Sequence, residues 1–106
     1  MFDDLEDAPD TKDGQGWAGT IYGFCPVQGH GKLDDVYWYF RARWDDWTFD
    51  VYSAPCDDEL PDQDKFLGYF DGSYANASWM KYSDAWRIIE DQITAWRSRA
   101  DKESGR

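Results

Sequence analysis

Residues 36–52, VYWYFRARWDDWTFDVY, decide the fold of this chain. Val36, Trp38, Phe40, Ala42 and Trp44 alternate with Tyr37, Tyr39, Arg41 and Arg43, and a side-chain period of two is that of a β-strand. After Asp45-Asp46, a break of hairpin length, Trp47, Phe49 and Val51 resume the apolar face opposite Thr48, Asp50 and Tyr52. Strands joined this tightly run antiparallel, here with one apolar face and one face of Tyr and Arg.

Working toward the N-terminus, Trp17 to Gln28 reads as a further strand. Ile21, Gly23, Cys25 and Val27 fall on one face, Tyr22 and Phe24 on the other. Gly29-His30-Gly31 and Leu33-Asp34-Asp35 read as a turn region. On the other side, Phe66 to Phe70 reads as a short fourth strand ended by Asp71-Gly72. The period then changes. Ser83 is a good N-cap, Asp84 suits the first turn, and Ala85, Ile88, Ile89, Gln92, Ile93 and Trp96 recur at helical spacing. A helix with one apolar stripe needs an apolar surface to cover, and the sheet offers it. The expected fold class is therefore α+β: an antiparallel β-meander of three or four strands with a C-terminal α-helix packed on one face. Trp38, Phe40, Phe49, Val51, Ile89, Ile93 and Trp96 are its expected core.

A chain of 106 residues suits one domain, expected at 14–106, preceded by an acidic flexible tail at 1–13. Aliphatic residues are few, but seven Trp and seven Tyr replace them, and aromatic side chains bury the most area per residue. No apolar run approaches the ~20 residues of a membrane span. The acidic start, MFDDLEDAPD, is unlike a basic secretion or transit signal, so the expected location is cytoplasmic. The net charge of −11 opposes direct nucleic-acid binding, which needs a cationic face.

That charge is concentrated. Residues 1–13 carry six acids against one Lys, and residues 57–71 again six against one, so these two stretches hold ten of the eleven excess negative charges. The second contains Asp57, Asp58, Glu59, Asp62 and Asp64, with Pro61 excluding a central strand. It reads as an exposed loop.

Catalytic chemistry finds little support. Cys25 and Cys56 with the lone His30 cannot form a structural zinc site, and the cysteines are expected to be reduced. His30, set between glycines, is expected to be solvated in its turn. No Ser/His or Cys/His arrangement suggests a nucleophile. The acidic run lacks the central Gly and twelfth-position Glu of a calcium loop. No catalytic residue, metal or cofactor is indicated, and the chain is not expected to be an enzyme.

Two surface groups carry the functional reading. The loop acids Asp57, Asp58, Glu59, Asp62 and Asp64 can meet a cationic partner, their spacing along extended chain being close to that of phosphates along nucleic acid. Tyr37, Tyr39, Arg41 and Arg43, opposite the helix, are residue types enriched in protein interfaces. Each group has a plainer account beside this one: acidic loops keep small proteins soluble, and the Tyr and Arg residues can simply pair across strands and cover the sheet with their stems. In size, Asp/Glu-rich loops, abundant Trp and Tyr and lack of catalytic motifs, the whole chain resembles the small acidic inhibitors of phages and mobile elements. Anti-CRISPR and anti-restriction DNA mimics belong to that group, and acidic immunity proteins have a similar character. The resemblance is one of composition. It implies an acidic protein-binding inhibitor that blocks a basic nucleic-acid-binding protein or nuclease. The alternative is a carbohydrate- or planar-ligand-binding module using Trp17, Trp44, Trp47 and Trp79.

Overall fold

Among the described residues six strands, where three or four were expected, form one antiparallel sheet in chain order, with a single long helix on one face. The computed structural model describes residues 9–56 and 60–104, with side chains described to residue 100. The strands are β1 (Asp10–Gly14), β2 (Trp17–Tyr22), β3 (Val27–Leu33), β4 (Val36–Arg43), β5 (Asp46–Tyr52) and β6 (Phe66–Ser73). A 3₁₀ turn at Ala77–Trp79 leads into the helix α1 (Tyr82–Ser104), which begins one residue before the expected cap at Ser83. The apolar faces of β4 and β5 follow the alternation, with Trp38, Phe40, Ala42, Trp47, Phe49 and Val51 all buried, while on the opposite face Tyr52 is buried as well.

Four local expectations are corrected. The long strand from Trp17 to Gln28 is two strands, because Gly23 and Cys25 adopt left-handed backbone (φ 76° and 52°) and Pro26 has no N–H for a ladder. Gly29-His30-Gly31 is not a turn but the middle of β3, paired with Thr20 and its neighbours on one side and Tyr39 and its neighbours on the other. The glycines there serve close approach. A Cβ on Gly31 would lie 1.9 Å from the Ala18 carbonyl oxygen, and one on Gly19, beside it in β2, 2.2 Å from the Trp38 indole. Residues 10–13, assigned to a flexible tail, are strand. They are exposed and lack an apolar period, yet Trp86 Nε1–H donates to Asp10 at 2.7 Å and Lys12 pairs with Glu90 at 2.7 Å. Residues 1–8 of that expected tail lie outside the described residues. Lastly, Trp44 leaves the strand to form the β4–β5 turn with Asp45, in left-handed backbone at φ 59° and 69 % exposed.

The core lies between sheet and helix. Ala85, Trp86, Ile89 and Ile93 of α1 are buried against Ile21, Trp38, Phe49 and Val51, with Trp96 half-buried at the margin. Trp38 is the hub, its ring stacked on Phe49 at 5.6 Å and meeting the edge of Trp86 at 6.4 Å. The two ends of the sheet are fastened differently. At one end the Arg97 guanidinium holds Asp34 with two bonds of 3.0 Å and the Gln15 carbonyl at 2.7 Å, tying two turns to the helix. At the other, Ser78 is the node: its hydroxyl accepts from Trp44 N–H and its carbonyl from Cys25 N–H, both at 2.7 Å.

Candidate protein-binding face

The helix covers only one side, so the sheet's other face is built entirely from the alternate residues of its strands. Register sets their neighbours. Thr11, Thr20, His30, Tyr39, Asp50 and Tyr69 form one row across all six strands. Lys32, Tyr37, Tyr52 and Phe66 form the row on one side of it, and Tyr22, Gln28, Arg41, Thr48 and Asp71 the row on the other. The face is thus a grid with Tyr and Phe at many nodes.

Much of the aromatic surface is engaged within the grid. Tyr39 Oη–H donates to Gln28 Oε1 at 2.8 Å, Tyr22 meets the edge of His30 at 5.9 Å, and Tyr52 meets the edge of Phe66 at 5.5 Å. His30, expected to be solvated in a turn, is part of this packing because β3 continues through it. Burial, assisted by Tyr22, pushes the Tyr39 phenol above its ordinary pKa. Burial, then the charge of Asp50, does the same to Tyr52. The cross-strand packing account therefore describes Tyr39 and Tyr52 well. Arg41 and Arg43, by contrast, are exposed, and neither has an ion-pair partner among the described residues.

Asp50 is the residue the sequence reading passed over. It stands half-buried in the central row, directly across from Tyr39 on one side and Tyr69 on the other. Burial raises its carboxyl pKa, and no hydrogen bond or ion pair reaches it among the described residues. The available signal was an acid in the polar set of a strand whose partner strand presents Tyr and Arg.

The residues just before the acidic run lie beside this face. Tyr37, His30 and Lys32 share a shallow groove of about 330 Å³ with Pro55 and Cys56, which places the start of the loop over the outer side of the sheet. Asp57, Asp58 and Glu59, the next residues, lie outside the described residues. Asp62 and Asp64 are exposed, the latter in a 3₁₀ turn at Gln63–Lys65 just before β6. The structure thus sets Tyr37 next to the flank of the loop, while Arg41 and Arg43 lie farther along β4. There they line a second groove with Trp44, Asp46 and Thr48.

Neither cysteine is in a disulfide: Cys25 is exposed and Cys56 buried. Among the described residues, no group of three or more His, Cys, Asp or Glu side chains is placed to hold a metal ion. Of the four tryptophans of the alternative reading, Trp47 is buried and Trp17 half-buried, leaving Trp44 and Trp79 exposed. No described helix is long and apolar enough to cross a membrane. No family model, curated protein or solved structure matches the chain.

Proposed function

We propose that this chain is an acidic protein-binding inhibitor, acting in the cytoplasm, that blocks the cationic surface of a nucleic-acid-binding protein or nuclease. The observation that carries the reading is Asp50. A carboxylate half-removed from water with no ion-pair partner among the described residues is costly to keep, and a Lys or Arg from another protein would compensate it. Aromatic side chains around it would exclude water from such a pair. The net charge of −11 steers the encounter with a positive surface, and Asp62 and Asp64 stand exposed just before β6. Occupying a nucleic-acid site this way needs no catalysis.

The test has two stages. Proteins captured from lysate by the intact chain at low salt are identified, and the purified partner is then offered DNA or RNA in competition. The expected result is a basic partner, released by nucleic acid and bound more slowly by Asp50→Asn and by the Asp62→Asn, Asp64→Asn double variant. A partner that holds nucleic acid and this chain together overturns the reading. One observation favours the alternative: Trp44 and Trp79, both exposed, belong to segments that meet at Ser78. Quenching of their fluorescence by a glycan panel, with retention in Asp50→Asn, would favour it.

A further inference from the structure

The two edges of the sheet are unlike each other. The β1 edge reads Asp-Thr-Lys-Asp-Gly, five residues with a charge at three positions, which is how natural sheets discourage strand addition. The β6 edge reads Phe-Leu-Gly-Tyr-Phe-Asp-Gly-Ser over eight residues, with no Lys or Pro and a single charge at Asp71. Leu67 and Tyr69 are 43 % and 55 % exposed along it. Such an edge is a template for another strand.

The ladder shows which backbone groups are free. Tyr74 N–H donates to the Asp45 carbonyl, so residues 45 and 74 are a bonded pair. Alternation along the register then makes Gly72, Phe70 and Gly68 the bonded partners of β5. Tyr69, Asp71 and Ser73 turn their N–H and C=O groups the other way, to an edge that no other strand of the described residues pairs with. We propose that β6 receives an extended cationic segment of the protein partner as a seventh, antiparallel strand, paired to the backbone of Tyr69, Asp71 and Ser73.

The chemistry of the occupant follows from the two sides of the edge. On the outer side a guest residue opposite Asp71 meets its carboxylate, and one opposite Tyr69 meets an exposed ring, so Lys or Arg suits both. On the inner side the guest approaches the region of Gly68, where Trp96 and the Arg99 guanidinium lie. Apolar residues suit that side and a cation does not. The segment therefore alternates cationic and apolar residues. A second copy of this chain is a poor occupant, because each copy carries −11 and would bring its own Asp62 and Asp64 to the shared edge. This inference rests on the proposal that the partner is cationic, and adds how the partner docks.

The probe is an alternating Lys-Val peptide of about eight residues, a typical strand length, with an alternating Glu-Val peptide as control. Binding to the full chain is followed by amide NMR and hydrogen exchange. The expected result is slowed exchange at Tyr69, Asp71 and Ser73 with the Lys peptide alone. Asp71→Pro, which removes an outward N–H without touching the β5 ladder, should weaken binding about tenfold. Should that variant fail to fold, Tyr69→Lys keeps the backbone intact and should repel the cationic strand to a similar degree. Equal binding of the Glu peptide, protection at β1 or none, or a dimer protected at β6 without peptide would each overturn the proposal. Undiminished capture of a cationic protein by Asp71→Pro would remove the edge and leave the proposed function standing. Intact peptide binding with no nucleic-acid-binding partner would do the reverse.

Discussion

Gly19→Ala tests the arrangement on which the core depends. The new methyl would sit 2.2 Å from Trp38 Cζ2, 2.8 Å from Trp38 Cη2 and 2.8 Å from the His30 carbonyl oxygen. Neither neighbour can give way easily, since Trp38 is completely buried and His30 is held in β3 between two strands. Overpacking of this kind costs about 3 kcal/mol, the upper part of its usual range. Replacing Gly reduces the freedom of the unfolded chain and returns about 0.7 kcal/mol. The net loss is about 2 kcal/mol, or roughly 10 °C in melting temperature for a domain of this size. Urea melts of Gly19→Ala, Trp38→Phe and the double variant give the coupling directly. Trp38→Phe removes the clashing ring atoms, and also a buried indole N–H that has no hydrogen-bond partner among the described residues. The double variant should therefore be more stable than the sum of the single losses by about 1–2 kcal/mol. Additive losses, or a Gly19→Ala protein as stable as the parent, would show that the indole does not lie over Gly19.

Deleting residues 1–13 removes nearly all of β1 together with the Asp10–Trp86 bond, so the melting temperature should fall by at least about 5 °C; an unchanged melt would mean that β1 contributes nothing. Trp96→Ala should cost about 2 kcal/mol in a denaturant melt, below the ~3–5 of a fully buried Trp because Trp96 is half-exposed. For Asp50 the folded pKa is raised, so the native state holds the proton more tightly than the unfolded chain. The charge therefore destabilises the fold increasingly as pH rises from the ordinary value of 3.8 through the raised one. Asp50→Asn should be more stable than the parent at pH 7, with the gain vanishing in acid below that window. A gain that persists at low pH would place its origin elsewhere.

The legible part of the fold was the part whose signal is local. From Trp38 to Arg43 and from Asp46 to Val51 burial follows parity, and in α1 the stripe from Ala85 to Trp96 follows the helical turn, so both could be read in place; Tyr52, buried on the outward parity, is the exception. The missed parts depend on distant residues. Gly29 and Gly31 look like turn formers until the backbone of β2 and the ring of Trp38 are set against them. β1 carries no apolar residue, and the polar ties that hold it, to Trp86 and Glu90, lie 76 and 78 positions away. The candidate face was legible as far as Tyr37, Tyr39, Arg41 and Arg43, since parity alone puts them opposite the helix. Asp50 was legible as outward-facing. Its isolation was not, because that depends on which residues β4 and β6 bring beside it.

The Ser78 node makes two turns depend on one distant residue. Trp44 and Cys25 occupy left-handed backbone, a conformation that costs a non-glycine residue roughly 1 kcal/mol or more. The bonds that hold them there come from a residue 34 positions beyond Trp44 and 53 beyond Cys25. Until the connection between β6 and α1 arrives, the two turns have no partner at Ser78 and are free to relax. This end of the sheet is therefore expected to close late, after the central strands have paired, and to open early when the start of the helix lifts. The amide protons of Trp44 and Cys25 are natural reporters of that event: their exchange should speed up together, ahead of the amides of β4, whenever α1 detaches.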